Sequence, residues 1–206
     1  MFTGIIQEVG TVTKVRSLNG GGMEFEIGCS FSSDCHIDES ISINGACHTV
    51  TAFNNETFTV QSVEETLRKT SMGSLAEGTK VNLERSLTLQ TGIEGHLVQG
   101  HVDTTGTIAH IESEETGWLI SIAYPEAFRG MIVGRGSITV EGISLTVARD
   151  ETDRFVVAII PYTWEHTNLK QKTVGDKVNL EFDVIGKYVV KYLANLGIDP
   201  SGLNKA

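Results

Sequence analysis

Apolar and polar residues alternate in short stretches along most of this chain. Residues 10–15, 23–27, 40–43 and 57–61 each keep a period of two, and turn residues such as Asn44-Gly45 and Asn54-Asn55 interrupt them. That period sets one side of a stretch against a core and the other in water, which is the signature of strands. Dense glycine punctuation with only three prolines predicts an all-β fold of closed antiparallel sheets. Around Thr66 and Thr70, and again around Thr163 and Thr167, the alternation loosens into a helical turn. Residues 186–196 change period altogether: Val189, Val190, Leu193 and Leu196 stand near helical spacing, and Gly197 and Pro200 end the run. One amphipathic helix outside the sheets needs a cover for its apolar side, and a partner subunit supplies one.

The strand pattern repeats. Residues 40–84 align without a gap on 137–181 at a constant offset of 97, with about 15 of 45 pairs identical. Gly45 meets Gly142, Thr49-Val50 meets Thr146-Val147, and Val81-Asn82-Leu83-Glu84 returns as Val178-Asn179-Leu180-Glu181. Gly4 and Gly10-Thr11-Val12 join in at an offset of 96, on Gly100 and Gly106-Thr107-Ile108. Two copies are too few for a solenoid. The expected organisation is two homologous Greek-key barrels of about six strands each, over 1–90 and 91–185, followed by a helix and tail over 186–206.

Composition narrows the partners. A net charge of −10 repels phosphate backbones and argues against nucleic acid. No apolar run approaches the length of a membrane span. Cys29, Cys35 and Cys47 cannot all pair, and no secretory signal is evident, so a cytoplasmic, reduced protein is expected. Cys29, Cys35 and His36 lack zinc-binding spacing, so no metal is expected.

Candidate chemistry falls at matching places in the two copies. Ser40, Asn44, Cys47, His48 and Thr49 correspond to Ser137, Glu141, Ser144, Leu145 and Thr146. Read blandly these are hairpins, yet the change from Asn44 and Cys47 to Glu141 and Ser144 points to similar pockets with diverged roles. A second cluster, His96 and His101, has no counterpart in the first copy, where Ile5 stands at the place of His101. Five residues apart on a strand, the two imidazoles face opposite ways, which argues against joint chelation.

These motifs carry a resemblance. The opening Met1-Phe2-Thr3-Gly4-Ile5-Ile6, the stretch 40–50, the cluster 95–103, Gly142-Ile143-Ser144-Leu145-Thr146-Val147 and Ile160-Pro161-Tyr162-Thr163 resemble the riboflavin synthase (alpha chain) family over nearly the whole chain. The resemblance implies two six-stranded barrels and a C-terminal helix that assembles a homotrimer. It further implies the dismutation of two 6,7-dimethyl-8-ribityllumazine molecules to riboflavin and 5-amino-6-(D-ribitylamino)uracil, with no cofactor. One lumazine would sit on each barrel, the N-terminal barrel of one subunit facing the C-terminal barrel of its neighbour.

By the same resemblance, the N-terminal site would use Gly4, Ile5, Ile6, Cys47, His48, Thr49, Gln61, Ser62, Val63, Glu64, Glu65 and Thr66. The C-terminal site would use Gly100, His101, Val102, Arg135, Ser144, Leu145, Thr146, Ala158, Ile159, Ile160, Pro161, Tyr162 and Thr163. Ser40, Cys47 and His101 match the polar residues nearest the chemistry, and Glu141 is the fourth catalytic candidate. Two departures are visible: the family usually has an aliphatic residue in place of His48 and aspartate in place of Glu141. Non-catalytic lumazine- or flavin-binding relatives form the alternative reading, but they have typically lost the polar residues that this chain keeps. Association with lumazine synthase, which supplies the substrate, occurs among relatives.

Overall fold

The computed structural model describes residues 1–198; Pro200 and the rest of the tail lie outside them. The first repeat forms β1 (Glu8–Ser17), β2 (Met23–Gly28), β3 (Ser40–Ile43), β4 (Ala46–Phe53), β5 (Thr57–Ser62) and β6 (Lys80–Arg85). They close as a barrel in the order β1-β2-β5-β4-β3-β6. The second repeat forms β7 (Thr104–Glu114), β8 (Gly117–Ala123), β9 (Ser137–Val140), β10 (Ile143–Asp150), β11 (Arg154–Ile159) and β12 (Lys177–Phe182), closed as β10-β11-β8-β7-β12-β9. Every pairing is antiparallel. Full closure leaves no free sheet edge.

Alternation explains the cores. Phe25, Ile27, Ile41, Phe58, Val60, Val81 and Leu83 fill one barrel, and Ile108, Ile120, Ile122, Val140, Phe155, Val178 and Leu180 fill the other. The Asn44-Gly45 and Glu141-Gly142 turns between β3–β4 and β9–β10 have positive φ at both positions (49° and 83°, 51° and 82°). This is the turn that matches strand twist. The repeated threonines have a local purpose. Thr70 and Thr167 each donate their hydroxyl to the carbonyl four residues back, Thr66 and Thr163, at 2.7 Å. They thereby join α1 (Glu64–Lys69) and α2 (Pro161–His166) to the short helices that follow.

The barrels meet back to back on a polar seam with approximate two-fold symmetry. Asn82 of β6 donates to the Glu141 carbonyl at 2.9 Å, and Asn179 of β12 donates to the Asn44 carbonyl at 2.8 Å. The Asn168 and Ser71 amides return bonds to Asn82 and Asn179 at 2.7 and 2.6 Å. Here the copies diverge: Glu141 accepts from Lys172 at 2.9 Å, whereas the first copy has neutral Asn44 and Leu75 at those positions. Glu141, expected beside the reacting groups, is fully buried in this seam instead.

α3 (Val184–Asn195) starts at Asp183, whose carboxylate accepts from the Ile185 amide at 2.8 Å. It ends in a left-handed turn at Gly197 (φ 73°), with the Ile198 amide donating to the Leu193 carbonyl. Lys187 pins the helix to Asp103 at 2.7 Å. Val190 and Leu193 are half-buried, while Ile185, Tyr188, Val189 and Tyr192 are exposed. Among the described residues, no helix is long and apolar enough to cross a membrane.

Candidate functional site

Two cavities of about 160 Å3 each occupy equivalent places in the repeats. The first lies over β4 and α1 and is lined by Ala46, Cys47, Glu65, Thr66, Lys69, Thr70, Gly100, His101 and Val102. The second lies over β10 and α2 and is lined by Gly4, Ile5, Ile6, Ile143, Ser144, Tyr162, Thr163, His166 and Thr167. They share no residue.

This arrangement reverses part of the sequence-based assignment. Gly4, Ile5 and Ile6 wall the C-terminal pocket, and Gly100, His101 and Val102 wall the N-terminal one. Each segment leads into a strand of its own barrel but first crosses the seam. The Ser144 amide donates to the Gly4 carbonyl and the Cys47 amide to the Gly100 carbonyl, both at 2.8 Å. The approach is too close for a side chain: a Cβ on Gly4 would stand 2.6 Å from the Ser144 nitrogen, and one on Gly100 2.7 Å from the Cys47 Cβ. Phe2 and Val98 exchange backbone bonds at 2.7 and 3.1 Å, so the crossing segments also pair with each other. The repeats therefore complete one another's pockets.

Cys47 and His101 face the same cavity. Burial pushes the Cys47 thiol up, and the nearby Ser40 hydroxyl and chain N-terminus pull it partly back. Ser40 thus reaches the pocket through Cys47. His48, expected among the binding residues, points into the first barrel, because it alternates with Cys47 and Thr49 along β4. Its Nε2 meets the Ser62 hydroxyl at 2.6 Å and its Nδ1 the Ala46 carbonyl at 2.8 Å. Burial holds this imidazole below the ordinary histidine range, and the bond to Ala46 offsets part of that shift.

The other expected residues divide by position. Glu65 and Thr66 line the first pocket, and Ser144, Tyr162 and Thr163 the second. Thr49, Gln61, Val63, Glu64, Thr146, Ala158, Ile160 and Pro161 are exposed and line neither, while Ser62 and Ile159 are buried inside their barrels and Leu145 is half-buried. Arg135 sits at positive φ (65°) in the turn before β9, its amide bonded to the Val147 carbonyl.

Several lining residues escaped the sequence reading. Lys69 and His166 occupy the same place in the two copies, as do Thr70 and Thr167; the internal alignment was the signal that could have found them. His166 stacks on Tyr162 with ring centroids 4.1 Å apart. His96 bridges Ser144 Oγ at 2.7 Å and Thr139 Oγ1 at 3.2 Å, and burial lowers its pKa. Among the described residues, no three His, Cys, Asp or Glu side chains gather as metal ligands.

Fold and site together define a duplicated-barrel protein with one small-molecule pocket per unit, each pocket walled by both repeats. The family model for the lumazine binding domain matches twice, over residues 3–86 and 99–183. The riboflavin synthase of Bacillus subtilis (strain 168) is 41% identical over 94% of this chain and 90% of its own length. That of Mycobacterium tuberculosis (strain ATCC 25618 / H37Rv) is 40% identical over 96% of this chain and 100% of its own. The chain belongs to the riboflavin synthase family, built from two lumazine binding domains. A crystal structure of LumP complexed with riboflavin superimposes with a TM-score of 0.82 over 89% of this chain and 100% of that one, at 21% identity, a likeness of fold.

Proposed function

We propose that the protein is a riboflavin synthase. Two molecules of 6,7-dimethyl-8-ribityllumazine react; one gives its four-carbon unit to the other, leaving riboflavin and 5-amino-6-(D-ribitylamino)uracil. Atoms balance between the two substrates, so no external oxidant or reductant is called for. The observation that carries this reading is the pair of equivalent pockets in a chain about 40% identical to riboflavin synthases along most of its length.

The pockets share no lining residue; in this reading the two rings meet across chains, with the N-terminal pocket of one subunit facing the C-terminal pocket of the next. The exposed apolar residues of α3 support assembly as a homotrimer. Holding two rings in contact supplies most of what the reaction requires, because the C7 methyl of lumazine is already acidic.

His101, on the wall of the N-terminal pocket, moves the proton that the methyl releases in this reading. The raised Cys47 pKa keeps this group a thiol near neutrality, which suits hydrogen bonding to an added nucleophile at C7 better than direct attack. Glu141 acts through the start of β10, two residues before Ile143 and three before Ser144.

Incubation with 6,7-dimethyl-8-ribityllumazine alone tests the reading. One riboflavin per two lumazines consumed, without added cofactor, is the expected result; tight binding with no turnover would show a carrier instead. A Cys47→Ser variant is expected to turn over more slowly, and unchanged kcat sinks the role given to the thiol.

A further inference from the structure

Two buried carboxylates outside the pockets have no part in the chemistry above. Glu84 near the end of β6 and Glu181 near the end of β12 are 3% and 2% exposed. Neither forms an ion pair among the described residues. A buried carboxylate without a cation is costly unless donors surround it. Here the donors are the crossing segments. Glu84 Oε1 accepts from the Thr3 amide at 2.7 Å and the Thr3 hydroxyl at 2.8 Å, and its Oε2 from the Gly4 amide at 2.9 Å. Glu181 Oε1 accepts from the Gln99 amide at 2.7 Å and its Oε2 from the His101 amide at 2.9 Å.

The consequence is crosswise. Glu84 stands on the first barrel, yet the segment it holds walls the second pocket and receives the Ser144 amide. Glu181 stands on the second barrel, yet its segment walls the first pocket and receives the Cys47 amide. We propose that Glu84 and Glu181 are positioning residues acting across the seam: Glu84 sets the C-terminal pocket and Glu181 the N-terminal pocket, His101 included. Only a carboxylate offers acceptors on both arms. Glutamine keeps the shape but turns an NH2 toward one of the backbone donors, so one bond becomes a donor–donor contact.

The effect on turnover rests on the riboflavin synthase reading; the effect on structure does not. Hydrogen exchange of the unliganded full-length protein separates them. Glu181→Gln is expected to speed exchange in residues 44–50, which carry the Cys47 amide, by roughly tenfold or more, leaving 141–147 near native; Glu84→Gln gives the mirror pattern. Titration with 6,7-dimethyl-8-ribityllumazine, with the occupied pocket identified crystallographically, should show the same crossing: Glu181→Gln empties the N-terminal pocket first. Glu181→Asp retains both acceptors at shorter reach and is expected to fall between; it also carries the test if the glutamine variant fails to fold. Same-barrel effects, equal effects on both pockets, or none overturn the proposal. A crossed exchange pattern in a protein that makes no riboflavin overturns the activity reading alone.

Discussion

Replacing Lys172 by leucine should destabilise the protein strongly, and replacing Glu141 by asparagine in the same chain should repair it. Glu141 is fully buried. Its Oε1 accepts from the Asn179 amide at 2.8 Å, and its Oε2 from Asn168 Nδ2 at 3.0 Å and Lys172 Nζ at 2.9 Å. Removing the ammonium leaves a buried charge with two neutral donors. Breaking a buried pair from one side costs about 3–5 kcal/mol. The remaining donors, and a lysine side chain that is 18% exposed, put Lys172→Leu near the lower end, about 3 kcal/mol.

The first repeat shows the neutral solution, with Asn44 and Leu75 at these two places. Asparagine also tolerates the left-handed backbone at position 141 (φ 51°) better than glutamate. Glu141→Asn alone should cost within about 1 kcal/mol, since Lys172 can turn toward solvent. The double variant should return to within about 1 kcal/mol of the parent, a coupling of about 2–3 kcal/mol. Urea unfolding at fixed protomer concentration measures all four corners. Additive effects, or a Lys172→Leu cost below about 1 kcal/mol, would refute the reasoning. Turnover of the double variant decides a further point: retained activity marks Glu141 as positional, and lost activity with restored stability returns it to the chemistry.

The folded protein keeps His48 neutral below the usual histidine range, so the unfolded chain binds a proton that the folded one does not. That contribution to stability is present above about pH 6.5 and is lost as pH falls below it, by up to about 1.4 kcal/mol per unit. His48→Leu with Ser62→Ile, the pair found at 145 and 159 in the second repeat, should flatten the decline in urea midpoint between pH 7 and 5; an unchanged slope refutes this. Gly100→Ala meets both a positive φ of 78° and the Cys47 Cβ, and should weaken lumazine binding at the N-terminal pocket. Gly20→Ala, with nothing within 4 Å, is the control, and equal effects of the two would contradict the crossing. Tyr188→Glu on the exposed face of α3 should yield smaller species by light scattering together with loss of turnover, and a trimer that persists removes the helix from the interface.

The barrels were legible because each strand states its inward face locally: alternation through 40–43 and 57–61 needs no knowledge of the rest of the chain. The closing strands were legible as the repeated Val-Asn-Leu-Glu. What those four residues do was not. Valine and leucine point into the barrel, while asparagine and glutamate turn to the seam, Asn82 and Asn179 bridging the hairpins and Glu84 and Glu181 gathering the crossing segments. A repeat alignment records that both copies keep these residues, but it cannot say whether each copy's glutamate serves its own half or the other.

The histidines show the same limit in miniature. Alternation along β4 separates His48 from Cys47 and Thr49, but it does not say which side of the strand carries the pocket. The pocket is on the outside of the sheet because α1 and the crossing segment build it there. His101 enters it only because residues 100–102 pass to the opposite barrel. Duplication therefore supplied two equal barrels, and the crossing of their leading segments made neither pocket complete without the other. A variant confined to one repeat should for this reason be tested first in the pocket of its neighbour.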